Sequence, residues 1–417
     1  MRLYFRAVEQ VDAPGGAVGG RLFAANHWNG IVDPLVILTS ARYDASPIAK
    51  STLFAVPGLA ALLSIAEAVP VARRQDAPGG STVDNDAVFD RVAAHLAGGG
   101  NVLIFPEGVS HAEPRVQPLK TGAARMVARA HAHGARGLTV QTVALDFDAP
   151  DTFRSRALVT YGPVHDVDEI AGGAEAVRGL TDRIAADLDR LVVQGESRGE
   201  LQLIRATAEI LAHDDDAAAP TLAARAAIAR EIVVRARALG ADDARYLGAA
   251  DAIGRYVAAR AALGLTEAQV ARGGAGLGLW RAVRGALRLA LLPLGLVGAV
   301  LYQPPYRVPR LAHRLARGET DVVSTYKLAL GLVVFPLWAA LLALLALRVG
   351  REPIERAAGV ATVLLSPLAA IGLLDRLDDR RGRRLLRTAS TGGVRALARL
   401  RLLRRHALAA VRAARTG

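Results

Sequence analysis

The chain has 417 residues, enough for one sizeable core of roughly 150–250 residues plus further elements. It contains no cysteine, which excludes a disulfide framework, thiolate catalysis and Cys-ligated zinc or iron–sulfur sites. The formal net charge of +13 is concentrated at the end: residues 376–417 hold thirteen arginines against Asp378 and Asp379, or +11, leaving +2 for everything before them. Placed directly after an apolar stretch, such a charge suits an anionic membrane leaflet better than nucleic acid.

Residues 1–8 carry Arg2 and Arg6 but no apolar run of the signal-peptide kind, so the N-terminal half is expected to stay in the cytoplasm. From Arg21 to Val167 short apolar runs alternate with helix-like stretches, the rhythm of an α/β domain. The expected strands are Arg21–Ala25, Ala68–Ala72, Asn101–Phe105, Thr139–Leu145 and Ala157–Tyr161. Between them, Asp84–Ala97 has helical spacing, with Val88, Val92 and Leu96 on one face, and a second helix is expected over Gly122–His133. From Ala174 to about Leu265 the chain is rich in Ala, Arg and Leu with helical periodicity, broken near Asp214–Pro220 and at Gly240, and reads as a helical extension.

Beyond Gly273 the composition changes. Leu328–Leu347 is twenty residues without a charge and Ala357–Leu374 eighteen more, each about long enough to cross a bilayer core as a helix. Arg307, Arg310, Arg314, Arg317 and Lys327 precede the first and the arginine-rich end follows the second, so both flanks are expected in the cytoplasm, with residues 348–356 as a short external turn. A shorter apolar stretch within 286–305, containing Pro293 and running into Pro304 and Pro305, is expected to lie in the interface or re-enter. The resulting divisions are 1–172, an α/β domain; 173–272, the helical extension; 273–375, a membrane region; and 376–417, a basic cytoplasmic tail.

Three clusters can carry chemistry. Ala25-Asn26-His27-Trp28-Asn29-Gly30-Ile31-Val32-Asp33-Pro34 follows an expected strand and should form a strand-to-helix turn. A neutral imidazole there could take a proton from an alcohol, and a carboxylate on the other ring nitrogen would fix the tautomer and steady the imidazolium. Phe105-Pro106-Glu107-Gly108-Val109-Ser110-His111 follows another strand; Glu107 could orient a basic group or a substrate hydroxyl, and Gly108 would let backbone approach a ligand, although Pro-Glu-Gly is also an ordinary turn. Arg73, Arg74 and Lys120 stand at element ends where guanidinium and ammonium groups could clamp a phosphate. The histidines show no spacing that matches a zinc site, and no metal is expected.

Taken in order, the His27 block, then Ala49-Lys50-Ser51-Thr52-Leu53-Phe54, then Val69-Pro70-Val71-Ala72-Arg73-Arg74, then the Glu107 block resemble the glycerolipid acyltransferase family over about residues 1–170. Pro118-Leu119-Lys120-Thr121-Gly122-Ala123-Ala124 and Thr152-Phe153-Arg154-Ser155-Arg156-Ala157 add to a likeness to its glycerol-3-phosphate and dihydroxyacetone-phosphate acyltransferase branch, where five residues also separate His from Asp. Trp28 departs from the pattern, which would place a proline or small polar residue there. The resemblance implies a glycerolipid acyltransferase-type α/β domain with His27 as general base and Asp33 as its orienting partner. It also implies an acceptor site that includes Glu107 and Gly108, and phosphate ligands Arg73, Arg74 and Lys120. The implied reaction moves a fatty acyl group from acyl-CoA or acyl carrier protein, as co-substrate and without cofactor, to glycerol 3-phosphate at the cell inner membrane, with the catalytic domain cytoplasmic. The alternatives are a lysophosphatidate or other lysophospholipid acceptor, and a non-catalytic lipid-binding membrane protein. Gly195-Glu196-Ser197-Arg198-Gly199 also matches a serine-hydrolase elbow, but that motif needs a strand before it, and residues 181–193 read as a helix.

Overall fold

A computed structural model describes residues 1, 4–14, 20–55, 59–72, 86–149, 152–167, 173–214, 220–272, 292–308, 314, 323–387 and 391–416. It divides into two compact units, one of Met1–Leu201 with Thr221–Arg230, the other of Gln202–Pro220 with Glu231–Gly417.

The first unit is built on a sheet of β1 (Ala7–Val11), β2 (Arg21–Ala25), β3 (Ser46–Lys50), β4 (Val69–Val71), β5 (Val102–Ile104), β6 (Thr139–Phe147) and β7 (Arg156–Asp166), in the order β1-β7-β6-β2-β5-β3-β4. All neighbours are parallel except β6 and β7. The central strands β2 and β5 are short apolar runs and, like most of β6, are buried on both faces, as in parallel α/β sheets. Side chains alternate between faces along a strand, so Leu22 and Ala24 join one core with Val102, Ile104, Val140 and Ala144. Helices α3 (Asp86–Ala97), α4 (Gly122–Ala132) and α5 (Ala174–Leu191) close that core with Val92, Leu96, Met126, Val127, Leu180 and Ile184. On the opposite face Phe23 stacks on Tyr43 at 4.3 Å, and the Tyr43 hydroxyl donates to that of Tyr161 at 3.1 Å. Burial raises the pKa of both phenols.

Two strands, β1 and β3, were not expected. β1 is a half-buried edge without strict alternation, and β3 carries Pro47, which argues against a strand from sequence. The proline is tolerated because β3 changes partners around it, pairing with β5 through Ser46 and Pro47 and with β4 through Ile48–Lys50. The helix α1 (Val32–Ser40), the 3₁₀ turn Ser51–Ala55 and α2 (Leu59–Ile65) complete the β2-to-β4 region.

The helical extension consists of α5, α6 (Arg198–Ala212), α7 (Leu222–Leu239), α8 (Ala244–Ala262) and α9 (Glu267–Arg272). Gly240, at φ +85°, ends α7 where the periodicity breaks. A further break at residues 192–197 was missed. There Ser197 Oγ accepts from the Glu200 amide and Glu200 Oε2 accepts from the Glu196 amide, reciprocal capping that starts α6. The residues before Ser197 form no strand, so the hydrolase elbow is absent.

In the second unit α10 (Leu292–Leu301), α11 (Gln303–Arg307), α12 (Val323–Val349) and α13 (Pro353–Arg387) contain the apolar segments. Thr325–Val349 and Pro353–Leu373 are long and apolar enough to cross a membrane, and Leu332, Val333, Leu337, Leu344, Leu364 and Leu368 on them are exposed. The described part of the stretch expected to be interfacial or re-entrant is helical and packs on both. A Cβ on Gly298 would lie 2.1 Å from the Ser366 carbonyl oxygen, the Tyr302 hydroxyl donates to Val363 O at 2.9 Å, and Trp338 Nε1 donates to Leu301 O at 2.9 Å.

The expected basic tail is also ordered over α14 (Thr391–Thr416), which packs on α8 and buries Leu400, Ala407, Leu408 and Val411. Arg404 donates to Glu267 Oε1 at 2.6 Å and to Asp214 Oδ1 at 3.3 Å, and Arg412 pairs with Asp214. Glu267 is fully buried and also accepts from the Tyr256 hydroxyl at 2.5 Å and Arg260 at 3.0 Å.

Candidate active site

The site forms where β2 stops. Asn26 is fully buried and locks the end of the strand to β6: its Nδ2 donates to Leu145 O at 3.1 Å and its Oδ1 accepts from Leu145 N at 2.7 Å. The chain then turns through Asn29 and Gly30, the latter at φ +47°, a left-handed conformation that glycine adopts without a Cβ penalty. That turn feeds α1, whose first turn holds Asp33.

The five residues between His27 and Asp33 are taken up by the turn, so the two side chains meet. His27 Nδ1 donates to Asp33 Oδ2 at 2.9 Å, and the same oxygen accepts from the Asn29 amide at 2.7 Å. An ionised carboxylate only accepts, which assigns the imidazole proton to Nδ1 and leaves a lone pair on Nε2. Among the described residues no hydrogen bond occupies Nε2. The His27 ring stacks on Phe105, with centroids 4.1 Å apart. Complete burial pushes the Asp33 carboxyl above its ordinary value, against the opposing pull of His27 and of the Asn29 and Trp28 amides.

Glu107 comes to the same place from the loop after β5, but not as an open acceptor-binding group. Only 3% of it is exposed, and both carboxylate oxygens are engaged. Oε1 accepts from the His27 amide at 2.7 Å, while Oε2 accepts from the Gln117 amide at 2.6 Å and from His111 Nε2 at 2.5 Å. Gly108, at φ +76°, makes room for Lys120: a Cβ there would lie 2.5 Å from Lys120 Nζ and 2.8 Å from its Cδ. Lys120 is exposed, and its amide donates to Pro106 O at 2.8 Å. Arg73 and Arg74 lie outside the described residues.

The structure thus brings His27, Asp33 and Glu107 into one network and sets Lys120 over Gly108. Sequence reasoning did not assign roles to Trp28, Asn26 or His111. Trp28 Nε1 donates to Leu145 O at 3.0 Å and its ring packs edge-to-face with His111, centroids 5.1 Å apart, so the residue that departs from the family pattern ties the turn to β6. The available signal was the position of His111 four residues after Glu107 in a loop following a strand. Among the described residues no cluster of His, Asp and Glu could hold a metal ion.

An acyltransferase family model matches residues 6–146, which contain all of this network. An uncharacterized acyltransferase of Schizosaccharomyces pombe is 28% identical over 290 residues, covering 63% of this chain and 42% of that protein. Glycerol-3-phosphate O-acyltransferases 1 and 2 of Saccharomyces cerevisiae are 32% identical over 120 residues and 39% over 87, covering 27% and 21% of this chain but 16% and 12% of theirs. The chain spans less than half the length of these curated relatives. A crystal structure of the 1-acyl-sn-glycerophosphate acyltransferase from Thermotoga maritima aligns with a TM-score of 0.31 and 14% identity, over 44% of this chain and 70% of that one. Residues 6–146 thus match the acyltransferase family, and with the likeness to the two yeast glycerol-3-phosphate O-acyltransferases they support an acyltransferase of glycerolipid type.

Proposed function

We propose that the chain is an O-acyltransferase that moves a fatty acyl group from acyl-CoA or acyl carrier protein to a hydroxyl of glycerol 3-phosphate, with His27 as general base. The observation that carries this is the 2.9 Å hydrogen bond from His27 Nδ1 to a fully buried Asp33, which turns the basic Nε2 away from its partner. Nε2 takes the proton of the acceptor hydroxyl as its oxygen attacks the thioester carbonyl carbon. The tetrahedral intermediate collapses with cleavage of the C–S bond, and the imidazolium returns its proton to the departing thiolate. Asp33 stabilises the imidazolium between these steps. No acyl-enzyme is required.

In this reading Lys120, with Arg73 and Arg74, neutralises the acceptor phosphate, and α12 and α13 hold the domain at the cytoplasmic face of a membrane where the acyl product resides. The likeness to the two yeast glycerol-3-phosphate acyltransferases favours glycerol 3-phosphate over lysophosphatidate as acceptor. The test is an acceptor panel of glycerol 3-phosphate, dihydroxyacetone phosphate and lysophosphatidate with labelled acyl-CoA and acyl carrier protein thioester, run beside His27→Ala. Transfer to glycerol 3-phosphate that vanishes in H27A supports the proposal. Transfer to lysophosphatidate alone replaces the acceptor, and turnover that survives H27A removes the base.

A further inference from the structure

We propose that His111 is a positioning residue for acyl transfer, holding the backbone of His27 on both sides so that the imidazole has one orientation. The inference rests on the reading of His27 as general base. His111 reaches His27 by two routes. Its own amide donates to His27 O at 3.2 Å. Its Nε2 donates at 2.5 Å to Glu107 Oε2, and the other oxygen of that carboxylate accepts from the His27 amide at 2.7 Å. The peptide groups before and after the base are thereby both tied to the loop that follows β5.

Histidine suits this place for a reason the other basic residues lack. Nδ1 of His111 accepts from the Glu113 amide at 3.2 Å, so that nitrogen carries no proton and Nε2 carries the one given to Glu107. Arginine or lysine offers donors only and would leave the Glu113 amide facing another donor. The Glu107 side chain is fully shielded from water and that of His111 is 10% exposed, so solvent is poorly placed to replace the lost hydrogen bond. Trp28, directly after the base, packs edge-to-face with the His111 ring. Without the His111 donor, Glu107 Oε2 keeps only the Gln117 amide, the carboxylate can rotate, and its hold on the His27 amide loosens.

The experiment compares full-length His111→Phe, His111→Gln and His27→Ala in lipid, measuring kcat and KM for acceptor and thioester. H111F keeps a ring against Trp28 but has no donor, while H111Q keeps an amide donor able to reach Glu107. Misplacing a reacting group by about 1 Å costs about a hundredfold; the expected result is therefore a fall in kcat of about 10- to 100-fold for H111F, with both KM values within about twofold of wild type, and recovery of most of the loss in H111Q. Wild-type kcat in H111F, with H27A inactive, overturns the positioning role and leaves the base in place. A rise in acceptor KM at unchanged kcat overturns it too, because His111 would then touch substrate. Turnover in H27A overturns the underlying reading whatever His111 does. If H111F does not fold, His111→Asn, polar but too short to reach Glu107, takes its place with the same expected loss and the same refuting outcomes.

Discussion

Replacing Asp33 by asparagine separates what the carboxylate does for chemistry from what it does for stability. The side chain is fully buried, and Oδ2 receives both His27 Nδ1 and the Asn29 amide. An amide oxygen can accept both contacts but cannot stabilise an imidazolium by charge, and an amide NH2 turned to Nδ1 imposes the opposite tautomer. In comparable His–Asp pairs that change lowers turnover by about 10⁴-fold, or about 5 kcal/mol at 1.36 kcal/mol per decade. Stability should move the other way. Burial raises the folded-state pKa of Asp33, so a protonated carboxyl would add stability that the ionised carboxylate holding His27 at neutral pH does not. That contribution is fully present below the unfolded carboxyl pKa, about 3.9, and is lost as pH rises through the higher folded value. Asp33→Asn removes the buried charge and is expected to melt no lower than wild type at pH 7–8, with the difference closing as the pH falls toward about 4. Initial rates of acyl transfer and melting curves over this pH range test both statements. A variant within about tenfold of wild-type kcat, or one that melts lower at pH 8 but not at pH 4, would refute the reasoning.

Three further outcomes follow from the packing. Gly298→Val places side-chain atoms where the Ser366 carbonyl oxygen already lies 2.1 Å from an added Cβ, and should lower thermal stability in detergent by about 1–3 kcal/mol as α10 is forced off α13. Arg404→Ala strips a cation from the fully buried Glu267, leaving Arg260 and Tyr256, and is expected to cost about 3 kcal/mol in denaturant unfolding. Burial raises the pKa of Tyr43 and Tyr161, so their phenols stay protonated in the fold while those of the unfolded chain ionise near about 10. This contribution is complete below that pH and is lost above it, and the Tyr43→Phe, Tyr161→Phe double variant should show a shallower fall of melting temperature between pH 9 and about 11.5.

Much of the α/β unit was legible because its central strands are short apolar runs and its helices carry one apolar stripe. Arg21–Ala25 was recovered without change, and Asn101–Phe105 and Thr139–Leu145 with small shifts. β1 and β3 were not legible: an edge strand has no strong pattern, and whether Pro47 can sit in a sheet depends on which neighbour its residue faces. The two long apolar helices were legible from their length and lack of charge alone. The helix at the basic end was not read because arginines interrupt the apolar stripe of Leu400, Ala407, Leu408 and Val411, and only packing on α8 buries that stripe.

His27 and Asp33 are separated by a span that a strand-to-helix turn can close, so the sequence by itself determined that an imidazole and a carboxylate could meet after β2. It also determined the order of blocks that marks the family and the two stretches long and apolar enough to cross a membrane. Only the tertiary structure decided that Glu107 spends its carboxylate on the amide of His27, that Gly108 leaves room for Lys120, and that His111 completes the loop. These contacts join residues eighty positions apart or depend on the direction of a single hydrogen bond. Local patterns encode which face of an element is apolar, but the partner of a buried polar atom is chosen by whatever the fold carries to within about 3 Å of it.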